Sequence, residues 1–395
     1  MSYADDFDQI TADHLRALGS MKWSLFPDTI GAFVAEMDFG AAPPITAALH
    51  AMVDDGLFGY LPKRLSEALS VACAEWQAKS YGWAVDPADV HPIPDVIKGL
   101  EIAIEHYSRP DSPVIVPVPA YMPFLKVPTS MGREIIRLPL AERDGRYSFD
   151  LDQLGRAFDA GGHLLVLCNP YNPVGRVFTA EELTGISEVV AAHDGRVFSD
   201  EIHAPLVFPG GRHIPYASVN EAAASHTITA TSASKAWNLP GLKCAQLIIS
   251  NAADARAWEE FGQFAGHGTA NPGVVANTAA YTSGRPWLDE VLGYLDRDRQ
   301  LLGELLAEEL PMIKYTPPEG TYIAWLDCRD LDLGGANPAD FFRERAGVAL
   351  TDGDACGAPG FVRMIFATPA PVLTAAIRQM GAAVRLSSTA APSGT

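Results

Sequence analysis

The chain has 395 residues, 48% hydrophobic and 19% charged, with a formal net charge of −19 at pH 7. That length exceeds the size at which one hydrophobic core keeps growing, so two domains are expected. The acidity opposes nucleic acid and anionic lipid as partners but leaves room for a local basic pocket.

No apolar run reaches the ~20 residues of a membrane-spanning helix, and the acidic start MSYADDFDQITADHL lacks the basic and apolar regions of a signal peptide. The expected location is therefore the cytoplasm. In chain order, short apolar runs alternate with helical patterns through the middle of the sequence, as in strands joined by crossover helices. Strands are predicted over 114–118, 134–138, 164–168, 196–199, 227–231 and 246–250. Among the intervening helices, 97–107 places Ile97, Leu100 and Ile104 on one face, and 180–193 opens after Thr179 as N-cap. The middle of the chain thus reads as an α/β sandwich. From 286 to 310 one long amphipathic stretch follows, then strands over 320–327 and 361–366 with a helix over 338–346, a smaller α+β unit. The Ser, Ala, Pro and Gly rich end is predicted to be disordered. Five scattered cysteines, Cys73, Cys168, Cys244, Cys328 and Cys356, make no CxxC pair, which argues against a disulfide framework or a zinc-thiolate site.

Three segments carry chemistry. Thr231-Ser232-Ala233-Ser234-Lys235 follows the strand 227–231, and a lysine just past a strand end among small hydroxyl residues can meet an aldehyde while the hydroxyls hold a phosphate. Ser199-Asp200-Glu201-Ile202-His203 follows the run 196–198, so Asp200 stands where the carboxyl end of a strand opens into a site. A pyridine nitrogen would need such a carboxylate, because a protonated ring withdraws electrons. The rival readings are an exposed acidic turn, or a metal site of Asp200, Glu201 and His203 that no further His or Cys cluster completes. Asn169-Pro170-Tyr171-Asn172-Pro173-Val174-Gly175-Arg176 comes directly after the strand 164–168 and forms a rigid turn, from which Asn172 can donate a hydrogen bond. Turn, Asp200 and Lys235 follow three successive strands and so can converge at one sheet edge.

Together with Glu36-Met37-Asp38-Phe39, Gly56-Leu57-Phe58-Gly59-Tyr60, Pro119-Ala120-Tyr121-Met122-Pro123-Phe124, Glu319-Gly320-Thr321-Tyr322 and Phe361-Val362-Arg363, these segments cover nearly the whole chain. In this order they resemble a fold-type I pyridoxal 5'-phosphate (PLP) enzyme of the aminotransferase class I/II superfamily, in the MalY/PatB-type branch of cystathionine β-lyases and C-S lyases. The resemblance implies a type I PLP-dependent transferase fold of class α/β, with a mostly parallel mixed sheet in an α/β/α sandwich and a smaller α+β domain. It implies an N-terminal arm over 1–44 joining the small domain, a large PLP-binding domain over 45–285, a linking helix and small domain over 286–387, and a tail over 388–395.

It further implies that Lys235 binds the cofactor as a Schiff base and moves protons, that Asp200 pairs with the ring nitrogen, and that Asn172 and His203 lie near the phenolic oxygen. Tyr121 would stack on the ring as a third catalytic residue. Phosphate would be held by Ser232, by the amides of Val96 and Ile97 at a helix start, by Lys243, and by Tyr60 from a second subunit, making a homodimer. Arg363 would grip the substrate carboxylate with Asn172 and Asp38 nearby. No metal is expected. The chain departs from the branch at Asp95, Ile365 and Ala370. His203, where aminotransferases more often carry Tyr, favours the lyase: α,β-elimination on L-cystathionine or cysteine S-conjugates to pyruvate, ammonia and a thiol. Transamination between an amino acid and a 2-oxo acid is the alternative, favoured by Lys243, and a PLP-binding regulatory protein is a third reading.

Overall fold

The computed structural model describes residues 6–390. A seven-stranded sheet forms its centre, built from β2 (Val90–Ile93), β3 (Val114–Val118), β4 (Ile135–Pro139), β7 (Leu164–Cys168), β8 (Arg196–Asp200), β9 (Thr227–Thr231) and β10 (Ala245–Ile249), in the order β2-β10-β9-β8-β7-β3-β4. Strands β9, β8, β7, β3 and β4 run parallel, whereas β10 is antiparallel to both β9 and β2. Every residue of β7, β9 and β10 is buried. Burial on both faces is what strands under crossover helices require; β7 is apolar throughout, while β9 and β10 bury Thr227, Thr229, Thr231 and Gln246 beside their apolar residues.

Small strands complete the chain: β1 (Ile30–Gly31), the hairpin β5 (Ala141–Arg143) and β6 (Arg146–Ser148), β11 (Lys314–Tyr315), β12 (Ile323–Asp327), β13 (Val348–Ala349), β14 (Thr351–Asp352) and β15 (Phe361–Ile365). A second, antiparallel sheet has the order β11-β12-β15-β14. Strand β1 pairs parallel with β13 in a separate two-stranded sheet, tying an N-terminal segment to the C-terminal part of the chain. The 25-residue helix Arg285–Glu309 lies between the two sheets in sequence and buries Trp287, Leu288, Val291, Leu295, Leu302 and Leu305 along one face.

The six central predicted strands are present within one or two residues of their expected limits. Several expectations need correction. The strand predicted from 320 begins only at Ile323, because Gly320 and Glu319 donate to the Gly175 carbonyl and Thr321 takes a left-handed φ of 71°. The helix predicted over 338–346 is one α turn, Pro338–Phe341, running into a π segment, Phe342–Ala346, that ends at left-handed Gly347. The disordered tail expected from 388 is overturned for 388–390, which continue the helix Ala370–Ala390; the rest of that tail, 391–395, lies outside the described residues. Strand β2 and the helices Pro43–Asp54, Lys63–Tyr81, Ala252–Ala265 and Asn271–Ser283 were not anticipated.

Candidate active site

Parallel strands send all their carboxyl ends to one edge of a sheet, which makes that edge the natural place for a site. Register aligns Cys168 of β7 with Asp200 of β8, and Asp200 with Ala230 of β9. The loops that follow these three strands accordingly meet around one cavity of about 220 Å³. Lys235, Asp200, Asn172, His203, Tyr121 and Ser232 line it, joined at one end by Val96, Ile97 and Lys243.

The turn carrying Lys235 is held from three directions. Asn277 accepts from the Ala233 N–H at 2.9 Å, the Ser232 hydroxyl donates to the Cys244 carbonyl at 2.7 Å, and Asn238 clasps the Met37 backbone by accepting from its N–H and donating to its C=O, each at 2.9 Å. Because a hydroxyl has a single proton, Ser232 spends its donor on Cys244, just before β10. From this turn the Lys235 Nζ donates to the Ala35 carbonyl at 2.8 Å, which also accepts from the Tyr322 hydroxyl at 3.0 Å. Left-handed Thr321 aims Tyr322 at that carbonyl; positive φ is costly for a β-branched residue and tends to persist at functional sites.

Electrostatics follow from burial. The Lys235 amine is pushed down from 10.5 to about 8, chiefly by loss of solvent and then by the Arg363 charge, with Asp200 and Glu36 opposing. Asp200 is pushed up from 3.8 to about 7 by burial, partly offset by the hydrogen bond its Oδ1 accepts from the Ile202 N–H at 3.0 Å and by Lys235. Burial holds His203 near 3, so its ring is neutral at ordinary pH, and its buried Nδ1 has no hydrogen-bond partner. Burial also raises the Tyr121 phenol.

Arg363 sits behind Asn172, donating to its Oδ1 at 3.2 Å, while its other arm donates to the Phe33 carbonyl at 3.0 Å and Thr351 Oγ1 at 3.3 Å. The guanidinium is almost wholly buried without a carboxylate among these contacts, and its Nε has no partner. A buried cation with only neutral partners carries a desolvation cost that a bound anion would offset. Gly175 shapes the Asn172 loop: at φ 72° a Cβ there would stand 2.3 Å from Pro318 Cβ.

Three predicted site residues do not line the cavity: Arg363, which stands behind Asn172, and Asp38 and Tyr60, which fall elsewhere. Asp38 was expected near the substrate, but its Oδ2 accepts from Lys22 Nζ at 2.8 Å and its Oδ1 from Trp23 Nε1 at 2.9 Å, a buried pair that pins the N-terminal segment. It does not line the cavity. Tyr60 is 92% exposed on a separate hollow with Phe58, His267 and Asn271. The metal alternative fails on geometry, because Glu201 turns away from Asp200 to bond Ser199, His213 and the Tyr216 N–H. Sequence reasoning missed the Ala35 carbonyl, Asn277 and Thr351. The first is a backbone atom with no residue signature, and the others act from elements distant in sequence.

The cavity suits a flat aldehyde-bearing ring with a phosphate. It offers an amine of depressed basicity, a buried carboxylate, an unpartnered imidazole nitrogen and, at one end, the first two amides of the helix Val96–His106, which lack intrahelical partners. Fold and site together define an α/β protein with a lysine–carboxylate centre at the carboxyl edge of its sheet. The chain belongs to the class I and II aminotransferase family, whose model matches residues 34–379. It is 38% identical to a cystathionine β-lyase of Corynebacterium glutamicum, over 93% of this chain and 97% of that protein. It is 33% identical to the cystathionine β-lyase PatB of Bacillus subtilis, over 92% and 96%. A solved Corynebacterium diphtheriae structure, provisionally assigned as a PLP-dependent β-cystathionase, superposes with a TM-score of 0.90 at 40% identity, over 95% of this chain and 98% of that one.

Proposed function

We propose that this chain is a PLP-dependent carbon–sulfur β-lyase that cleaves L-cystathionine or related cysteine S-conjugates to pyruvate, ammonia and a thiol. The observation that carries this reading is the burial of Lys235 and Asp200 in one cavity, each with its proton affinity drawn towards neutrality. Similarity to lyases over almost the whole chain supports the reaction class.

When bound, PLP supplies an aldehyde that exchanges amines and an electron-withdrawing ring that takes up the electron pair released at Cα. The residues do the rest. Asp200 would hold the ring nitrogen in its protonated form, its buried carboxylate supplying a charge-assisted hydrogen bond. With a pKa near 8, Lys235 Nζ is unprotonated in roughly one molecule in ten near neutral pH, enough to take the Cα proton and to deliver one to a leaving group. Arg363 binds the substrate carboxylate through donors its present contacts leave free, oriented by Asn172 and Thr351. Tyr121 would cover the ring, and neutral His203 and Asn172 would border its phenolic oxygen. The amides of Val96 and Ile97, the Ser232 turn and Lys243 would hold the phosphate.

Exposed Tyr60 is assigned to the partner's site, so the enzyme is a homodimer; Asn271 presents this segment by donating to the Gly59 carbonyl at 2.9 Å. The arm and domains are assigned to 1–44, 45–285 and 286–387, a division supported by the seven-stranded sheet falling in the second part and the whole of the four-stranded one in the third. Among the described residues no helix is long and apolar enough to cross a membrane. Incubating the purified protein with cystathionine and a panel of cysteine S-conjugates, while following pyruvate and thiol, tests the reaction. No release from any of them sinks it, and sustained amino-group transfer to a 2-oxo acid without thiol loss establishes the aminotransferase that Lys243 favours.

A further inference from the structure

One end of the cavity carries a carboxylate where an anion is to bind. Asp95 is the N-cap of the helix Val96–His106, and its Oδ1 accepts from the Lys98 N–H at 2.8 Å. Its second oxygen, Oδ2, accepts from Lys243 Nζ at 2.9 Å. Both residues line the cavity, and the side chains remain 39% and 59% exposed, so the pair is accessible rather than sealed. Lys243 reaches it from a left-handed backbone with φ 51° just past the turn Pro240–Leu242. The neighbouring cation, Lys98, is already paired with Glu101 at 3.0 Å. Cations and helix amides that would attract a phosphate at this end are thus offset by acidic groups of the same helix start.

Asp95 does two jobs of opposite sign for an incoming anion. As a cap it stabilises the helix whose amides point at the ligand, and as a charge it repels that ligand and occupies its lysine. We propose that Asp95 competes with the cofactor phosphate for Lys243 and for the positive end of the helix, so that this chain holds PLP more loosely than the same cavity would without that carboxylate. The proposal rests on the reading of the cavity as a PLP site. If Asp95 were only a cap with a solvated ion pair, its charge would have no phosphate-dependent effect.

Asparagine caps a helix as well as aspartate does, so Asp95→Asn keeps the local fold and removes only the charge. The experiment strips the cofactor from the full-length protein, then titrates PLP and, separately, pyridoxal, reading the absorbance that Lys235→Ala abolishes. The PLP dissociation constant is expected to fall at least roughly threefold in Asp95→Asn at low salt, with less gain at high salt because the effect is a screened charge interaction. Pyridoxal, which lacks the phosphate, is expected to bind both proteins alike. Lys243→Gln is expected to weaken PLP more in the Asp95→Asn background than in the parent, where Asp95 already engages the lysine. An unchanged or weaker PLP affinity in Asp95→Asn, or an equal gain for pyridoxal, overturns the inference. Absence of any Lys235-dependent absorbance with PLP in the parent overturns instead the cofactor assignment on which it stands.

Discussion

Replacing Asp200 with asparagine separates what the buried carboxylate costs the fold from what it gives to catalysis. In the cofactor-free protein burial pushes Asp200 from 3.8 to about 7. Between those two values the folded chain holds a proton that the unfolded chain has lost, so stability is fullest below the unfolded pKa and declines as pH rises through the folded one. At 1.36 kcal/mol per pK unit, a three-unit shift amounts to about 4 kcal/mol lost by the time Asp200 is fully ionised. Asparagine does not titrate, and its Oδ1 can still accept the Ile202 N–H. Asp200→Asn is therefore expected to be more stable than the parent by about 2–4 kcal/mol near pH 8, with no advantage near pH 4. Urea unfolding of both cofactor-free proteins across that range, at fixed protein concentration, measures the difference. A gap independent of pH, or a parent more stable near pH 8, would refute the reasoning. The same substitution should lower lyase turnover on the order of 100-fold or more, since an amide cannot keep a ring nitrogen protonated.

Lys235→Ala should abolish both the cofactor absorbance and pyruvate release, and retention of either would show that another amine serves the site. Arg363→Lys gives up the planar contacts to Asn172, Phe33 and Thr351; KM for the amino acid should rise on the order of tenfold or more while the cofactor spectrum stays unchanged. Asp38→Asn leaves the fully buried Lys22 without its counter-charge, so thermal unfolding should report a loss of about 3–5 kcal/mol. KM of the folded Asp38→Asn enzyme should match the parent, because both Asp38 oxygens are taken up by Lys22 and Trp23.

Much of this molecule was legible in one dimension. Buried strands favour apolar and β-branched residues, so Leu164–Cys168 stands out as an apolar run and Thr227–Thr231 as a β-branched one, each bounded by turns. The residues placed at their carboxyl ends, Asn172, Asp200 and Lys235, could then be expected to converge because parallel strands share an edge. Motif order did not reveal side-chain direction. Asp38 stands beside Met37 and Glu36 in a segment that does approach the site, yet its carboxylate turns the other way, to Lys22 and Trp23. Strand β2 escaped notice because His91 and Pro92 interrupt its apolar pattern and its pairing with β10 lies more than 150 residues away.

Residue type and order along the chain were thus enough to mark six of the seven central strands and to single out Lys235, Asp200 and Asn172 as candidates for one site, since backbone periodicity and side-chain chemistry are local properties. Proton affinities were decided only by tertiary structure. Lys235 near 8, Asp200 near 7 and the neutral ring of His203 arise from burial and from charges brought in by distant segments, Arg363 above all for Lys235. Tertiary packing likewise chose the Ala35 carbonyl as the partner of Lys235 and placed Asp95 against Lys243. A hydrogen bond between residues 200 positions apart depends on the whole fold, and neither local propensity nor spacing encodes it.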